Sequence, residues 1–97
     1  MVIWSIQAKA DLKQIFASIH RDSKFYAKKV TREIVERSML LQELTRMGRV
    51  APEVGEQNVR ELFLYSYRIV YEIIGDNIQV LAVVHKRRDF KAGDIGK

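Results

Sequence analysis

The stretch YRIVYEIIGDNIQVLAVV, residues 67–84, decides the fold. Its first half has the period of two that is typical of a strand, and one side of it carries Tyr67, Ile69, Tyr71 and Ile73. Gly75-Asp76-Asn77 is typical of a tight hairpin turn. Ile78 to Val84 is apolar almost throughout, which predicts a central strand with both faces covered. The stretch therefore predicts a hairpin of two strands, Tyr67–Ile74 and Ile78–Val84, in the middle of a sheet.

Two amphipathic helices are predicted upstream of this hairpin. The first has an apolar stripe at spacings of three and four, formed by Ala8, Leu12, Ile15, Phe16 and Ile19. Residues 20–23 break the pattern, and Asp22 or Ser23 suits the N-cap of a second helix. The second stripe continues for about five turns through Ala27, Val30, Ile34, Leu41 and Leu44. Gly48 is predicted to be a left-handed C-cap, and the two helices should form an antiparallel hairpin.

The remaining segments complete the fold prediction. Val2–Ile6 and Val59–Tyr65 alternate as strands do, and Arg49–Asn58 has no period and is predicted to be a long loop. The predicted order is β-α-α-β-β-β, followed by a short basic tail. This is an α+β fold in which a helical hairpin packs on a mostly antiparallel, four-stranded sheet. Residues 1–97 are predicted to form a single domain.

Composition limits the classes of function. The 97 residues include no cysteine, so disulfides, thiolate metal sites and cysteine nucleophiles are excluded. No apolar run approaches the roughly 18 residues that span a bilayer, so no membrane partner is expected and the protein is predicted to be cytoplasmic. Lys and Arg number 17 against 12 Asp and Glu, and the net charge of +5 favours an anionic partner. No metal site and no cofactor motif is predicted.

Two arginines in predicted strands are candidate functional residues. Arg68 lies on the side of its strand opposite Tyr67 and Ile69, and it is expected to project from the open face of the sheet. An arginine in mid-strand is uncommon because strands favour β-branched and aromatic residues. It is either a functional cation or one half of a cross-strand ion pair with Glu61. Arg60 has the same two interpretations.

A basic segment follows the predicted central strand directly. His85 is a candidate general acid or base, because the ordinary pKa of a histidine lies near 6.5, although a lone histidine at a strand end is more often structural or solvated. Lys86, Arg87 and Arg88 suit an anionic partner, or they only protect the strand from edge pairing. In the long loop, Glu53 and Glu56 are further candidate carboxylates.

The order and spacing of these motifs resemble the ParE/RelE toxin superfamily of bacterial type II toxin–antitoxin systems over nearly the whole chain. The segments that carry the resemblance are Ala8-x-x-Asp11-Leu12-x-x-Ile15, Leu44-x-x-x-Gly48-Arg49, Val59-Arg60-Glu61-Leu62, Tyr67-Arg68-Ile69-Val70-Tyr71 and Val83-Val84-His85-Lys86-Arg87-Arg88-Asp89. The resemblance implies a helical hairpin on a curved antiparallel sheet. It also implies a cognate antitoxin whose acidic or amphipathic segment covers the toxin.

Two activities compete within the superfamily. RelE-like members are ribosome-dependent endoribonucleases that cleave mRNA, and the resemblance to them assigns catalytic roles to Arg68, His85 and Arg87. ParE-like members inhibit DNA gyrase, and their target and antitoxin would be bound here by Arg60, Arg68, Lys86, Arg87 and Arg88. The catalytic tyrosine that many RelE-like members carry near the C-terminus is missing, because no tyrosine follows Tyr71.

The residues of the final motif, His85-x-Arg87-Arg88-Asp89, resemble those of ParE-like members more closely. The resemblance therefore favours a gyrase inhibitor that is not an enzyme, with an mRNA endoribonuclease as the alternative. A third possibility is a member that binds its antitoxin and has no toxicity.

Overall fold

The computed structural model describes residues 1–95 as a helical hairpin on one side of a sheet. The first half contains strand β1 (Val2–Trp4), helix α1 (Ile6–His20), helix α2 (Lys24–Met39) and a 3-10 turn (Leu40–Gln42). The second half contains strands β2 (Arg49–Val50), β3 (Val59–Leu64), β4 (Tyr67–Ile74) and β5 (Asn77–His85), and a final 3-10 turn (Ala92–Ile95). The α+β class is confirmed, whereas the predicted order β-α-α-β-β-β is not exact, because an additional strand, β2, precedes β3.

The sheet differs from the prediction in strand number and direction. It has five strands in the order β1-β5-β4-β3-β2. The fifth strand, β2, lies inside the segment predicted to be a loop, and it pairs with Arg60 and Glu61 of β3. Its two residues are too few to show a period. Strand β1 runs parallel to β5, whereas the other neighbours are antiparallel. A period of two indicates a strand without indicating its direction, so the sheet is mixed.

Both helices begin at a serine whose side chain caps the first turn. The Ser5 hydroxyl accepts a hydrogen bond from Ala8 N, and the Ser23 hydroxyl accepts one from Tyr26 N. The predicted cap at Ser23 is confirmed. Helix α2 ends at Met39, although the helical spacing was predicted to continue through Leu44, because the chain tightens into the 3-10 turn that buries Leu41. Neither helix of residues 1–95 is long and apolar enough to cross a membrane.

The sheet is covered on both sides. We call the side under α1 and α2 the helix face, and its core is formed by Ala8, Ile15, Ile34, Ile69, Val80 and Val83. The opposite side, the second face, was expected to be open, and that expectation is wrong. The loop of residues 51–58 and the C-terminal segment of residues 86–95, here called the strap, cover it. This second core contains Ala51, Val59, Val70, Leu81, Ala82, Phe90 and Ile95.

Strand β5 lies between β1 and β4, so the predicted central strand is confirmed. It contains a β-bulge, because Tyr71 pairs with Val80 and Val70 pairs with Ala82, which leaves Leu81 as an extra residue. Side chains at the start of α1 hold the bulge. The Ser5 hydroxyl donates to Leu81 O at 3.0 Å, and Val83 N donates to the Asp11 carboxylate at 2.9 Å.

Gly48 is needed for close packing and not for a left-handed conformation. The left-handed glycines among residues 1–95 are Gly55 and Gly75, so the predicted C-cap role of Gly48 is wrong. A Cβ on Gly48 would lie 2.4 Å from Glu61 O and 2.9 Å from the Tyr71 hydroxyl. Gly48 N donates to that hydroxyl at 3.0 Å, and the hydroxyl donates to Thr45 O at 2.8 Å. Tyr71 therefore connects β4 to the chain that leads into β2.

Replacing Tyr71 by phenylalanine should destabilise the fold. Tyr71 is fully buried, so Tyr71→Phe leaves Gly48 N and Thr45 O without this partner and should lower the free energy of unfolding by about 1–3 kcal/mol. Urea denaturation measures the loss. The matched control is Tyr26→Phe, because Tyr26 is 56% exposed and should change stability by less than about 0.5 kcal/mol. Equal midpoints for the two variants would contradict this role of the hydroxyl.

Candidate functional site

Arg68 lies under the strap on the second face, and it is only 4% exposed. Its Nη1 donates to Glu61 Oε1 at 2.8 Å, and its Nη2 lies 2.7 Å from Glu53 Oε2. Nη2 also donates to the main-chain oxygen of Arg88, and the guanidinium lies 5.0 Å from the ring centroid of Phe90. The ion pair with Glu61, one of the two sequence-based interpretations, is present.

A second arginine extends this ionic cluster to the surface. Arg49 Nε donates to Glu61 Oε2 at 2.7 Å, so the fully buried Glu61 side chain has an arginine on each oxygen. Arg49 itself is two-thirds exposed, and its guanidinium lies 5.1 Å from the centroid of the Phe63 ring. The buried Glu61 carboxylate is thus paired and hydrogen-bonded on both oxygens, as a buried charge must be for the fold to tolerate it.

The electrostatics of the cluster favour the charged forms of Glu53 and Arg68. Burial raises the pKa of Glu53, but the hydrogen bond and the positive charge of Arg68 outweigh burial and hold that pKa below its ordinary value. Burial lowers the pKa of Arg68, and its hydrogen bonds to Glu53 and Glu61 outweigh that effect and raise it. Glu53 and Arg68 therefore stabilise each other's charged forms.

A groove of about 730 Å³ lies above this cluster, between the loop of residues 51–58 and the strap. Its lining residues are Arg49, Pro52, Glu53, Phe63, Arg68, Lys86, Asp89, Phe90, Lys91 and Ala92. Cations and carboxylates are mixed along its walls, so the groove is not the uniformly basic surface that a nucleic acid backbone requires. No group of three or more His, Asp or Glu side chains within residues 1–95 is placed to hold a metal ion.

His85 does not lie with Arg68. It pairs with Tyr67 in the register of β4 and β5, whereas Arg68 pairs with Val84, so the two side chains project from opposite faces of the sheet. The His85 ring is exposed, contacts the Tyr67 ring edge-to-face, and accepts a hydrogen bond from Arg87 N at 3.3 Å. A general acid must reach the same reacting group as the cation that stabilises it. In this conformation the two side chains cannot share a substrate atom.

The other candidate residues lie at two places. Lys86, Arg87 and Arg88 follow β5 and are exposed at the beginning of the strap, with Lys86 on the wall of the groove. Arg60 lies in β3 on the face opposite Glu61, where its Nη1 donates to Gly48 O at 2.9 Å and its Nε to Gln57 O at 3.0 Å. Arg60 thus supports the main chain at the edge of the sheet and is separated from Arg68.

Sequence reasoning missed Arg49 and Phe90 and mistook the environment of Glu53. Phe90 is an apolar residue within a highly charged tail, and this isolated signal could have indicated that the tail folds back on the sheet. Glu53, considered as a candidate base, is instead an ion-pair partner of Arg68. Nothing in the spacing indicates that Arg49 and Arg68 share Glu61, because that contact depends on the short strand β2.

The comparisons with known proteins agree with this architecture. The family model for the ParE toxin of type II toxin–antitoxin systems (parDE) matches residues 2–90. A chain in the solved structure of the chromosomal ParDE TA system from P. aeruginosa is 26% identical, has a TM-score of 0.72, and the match covers 87% of this chain and 92% of that one. No curated protein matches the sequence. Because the family model spans almost all of the described residues, this chain belongs to the ParE toxin family of type II toxin–antitoxin systems.

Proposed function

We propose that this protein is the toxin of a toxin–antitoxin pair, that a cognate antitoxin neutralises it, and that it acts by binding and inhibiting DNA gyrase. The observation that carries the choice of target is the separation of Arg68 from His85. Arg68 is buried in ion pairs, and His85 projects from the other face of the sheet. Cleavage of RNA needs a cation and a proton carrier at the same phosphate, whereas inhibition by binding needs only a recognition surface.

The exposed beginning of the strap is the part of the proposed binding surface that the charge distribution supports best. Lys86, Arg87 and Arg88 are consecutive exposed cations, in a chain whose net charge is +5. Such a surface attracts an acidic protein segment and speeds its association. The antitoxin partner is supported by the family match and by the similar structure from P. aeruginosa, which is a ParDE TA system.

The proposed target is tested by two assays on the purified protein. We expect inhibition of gyrase supercoiling, or accumulation of cleaved DNA, together with intact mRNA on programmed ribosomes. Arg87→Glu should raise the protein concentration needed for inhibition by about tenfold, because it reverses a charge at the proposed contact surface. Lys13→Glu is the matched control, since Lys13 is exposed on α1 and the change in net charge is the same.

Each other outcome identifies a different function. Codon-positioned cleavage of mRNA with normal supercoiling would replace gyrase by the ribosome and make this protein an endoribonuclease. Failure in both assays, together with tight binding of a co-expressed antitoxin, would indicate a family member that has no toxicity.

A further inference from the structure

The strap is attached to the sheet by few contacts. Its buried side chains are Phe90 and Ile95, each 7% exposed, and both lie in the second-face core. Within the strap, Lys91 N donates to the Asp94 carboxylate and Asp94 N donates to Lys91 O, so the final turn closes on itself. Residues 86–89 are exposed. The strap therefore has two apolar anchors and needs polar contacts to hold one position.

Arg68 supplies a side-chain contact between the strap and the other segments on this face, in addition to the main-chain hydrogen bond that Lys86 N donates to Ser66 O at 2.8 Å. One guanidinium joins Glu61 of β3, Glu53 of the 51–58 loop, and the main-chain oxygen of Arg88 in the strap. The ring of Phe90 also lies 5.0 Å from the same guanidinium. A guanidinium suits this task because its rigid, planar fork binds several acceptors at once.

We infer that Arg68 is a positioning residue, a clamp that fixes the strap and through it the exposed cations of the binding surface. At 4% exposed, Arg68 is shielded from a partner protein in this conformation. The cations that a partner can reach on the strap are Lys86, Arg87, Arg88 and Lys91. Arg68 acts on them through the Arg88 carbonyl and Phe90, and this role differs from the direct contact that the sequence suggests.

The position of these cations matters because a mobile exposed ion pair contributes little to binding. Several charges held in a network contribute more than a single exposed pair does. The partner that fits is an acidic protein segment whose carboxylates match the spacing of the strap cations. The consequence for activity rests on the proposed function, whereas the consequence for the strap itself does not.

The test removes the clamp without leaving buried charges. The variant Arg68→Met/Glu53→Gln/Glu61→Gln replaces the buried ions by neutral groups of similar volume, a change that folded proteins often tolerate. We expect its helices to keep their hydrogen-exchange protection, while the amides of Lys91 and Asp94 exchange about tenfold faster or more. We also expect gyrase inhibition to require about tenfold more protein, in parallel with the loss of strap protection.

Two single variants make the test specific. Arg88→Ala should leave the exchange of Lys91 and Asp94 unchanged, because Arg68 binds the main-chain oxygen of Arg88 and not its side chain. Arg68→Lys keeps the charge but lacks the fork, so exchange should fall between the wild-type and triple-variant rates. If the triple variant does not fold, the exchange of the Lys91 and Asp94 amides in Arg68→Lys is the test. Faster exchange than in the wild type supports the clamp, and an unchanged rate contradicts it.

Unchanged exchange in the strap after loss of the clamp would overturn the inference, since Phe90 and Ile95 would then suffice. Faster exchange with undiminished gyrase inhibition would also overturn it, because the position of the cations would be irrelevant. If the wild-type protein does not inhibit gyrase, the proposed target fails, and the exchange rates still decide whether Arg68 holds the strap.

Discussion

Arg68→Met should lower the free energy of unfolding by about 3–5 kcal/mol, the largest loss expected for a single substitution on the second face. The Glu61 side chain is fully buried and the Glu53 side chain is 14% exposed, and both lose a guanidinium partner. Methionine fills similar volume, so the loss reflects uncompensated charge and not a cavity. Denaturation in guanidinium chloride at pH 7 measures it.

The pH dependence separates this charge effect from a packing effect. In the wild type the pKa of Glu53 lies below its ordinary value, so the pair stabilises the fold above that value and loses this contribution as the pH falls through the folded-state pKa. Without Arg68, only the backbone hydrogen bonds at Glu53 and Phe90 oppose the effect of burial on the Glu53 carboxyl, so its pKa should rise. The stability difference between wild type and variant should therefore narrow between pH 7 and pH 4.

Arg87→Met is the control for this experiment. Arg87 is exposed, so its substitution should change stability by less than about 0.5 kcal/mol at either pH. A pH-independent loss in Arg68→Met would show that the guanidinium contributes packing and not compensation of charge.

Gly48→Ala should lower the free energy of unfolding by about 3 kcal/mol, because the added methyl group meets main-chain atoms and not a movable side chain. The new Cβ would lie 2.4 Å from Glu61 O, so the segment leading into β2 must move away from β3. That movement also breaks the hydrogen bond from Gly48 N to the Tyr71 hydroxyl. Thermal denaturation together with the near-ultraviolet signal of tyrosine measures both effects.

Gly93→Ala is the matched control, since no atom lies within 4 Å of a Cβ added there. It should leave the thermal midpoint within a few degrees of wild type, or raise it slightly by restricting the unfolded chain. A Gly48→Ala protein as stable as the Gly93→Ala protein would show that β2 has room to shift.

Periodicity predicted the helices and the main strands because each has a side that is more exposed to solvent and a side that is more buried. The Ser23 cap and the Gly75-Asp76 turn were predictable for a similar reason, since their chemistry is local. Strand β2 was not predictable, because two residues carry no period and its existence depends on pairing with β3. The end of α2 was missed because Leu41 continues the helical spacing although the backbone has already tightened.

The candidate site was less predictable than the fold. Sequence reasoning placed Arg68 on the correct face and named Glu61 as a possible partner. It expected the second face to be open, because a charged tail containing Lys86, Arg87 and Arg88 has the composition of a solvated segment. Phe90 and Ile95 anchor that tail among apolar residues, and although Phe90 stands out within the charged tail, two residues are too few to form a periodic pattern.

The bulge at Leu81 determines on which face of the sheet the His85 side chain lies. Along a regular strand the faces alternate without interruption, so this same sequence without the bulge would place His85 on the face of Arg68. The Ser5 hydroxyl and the Asp11 carboxylate stabilise the extra residue, yet both belong to the beginning of the chain. The alternation of side chains between the two faces of the sheet, which the bulge shifts by one residue, thus keeps His85 and Arg68 on opposite faces. Ser5 and Asp11, in the first part of the chain, thereby stabilise the strand geometry that separates His85 from Arg68.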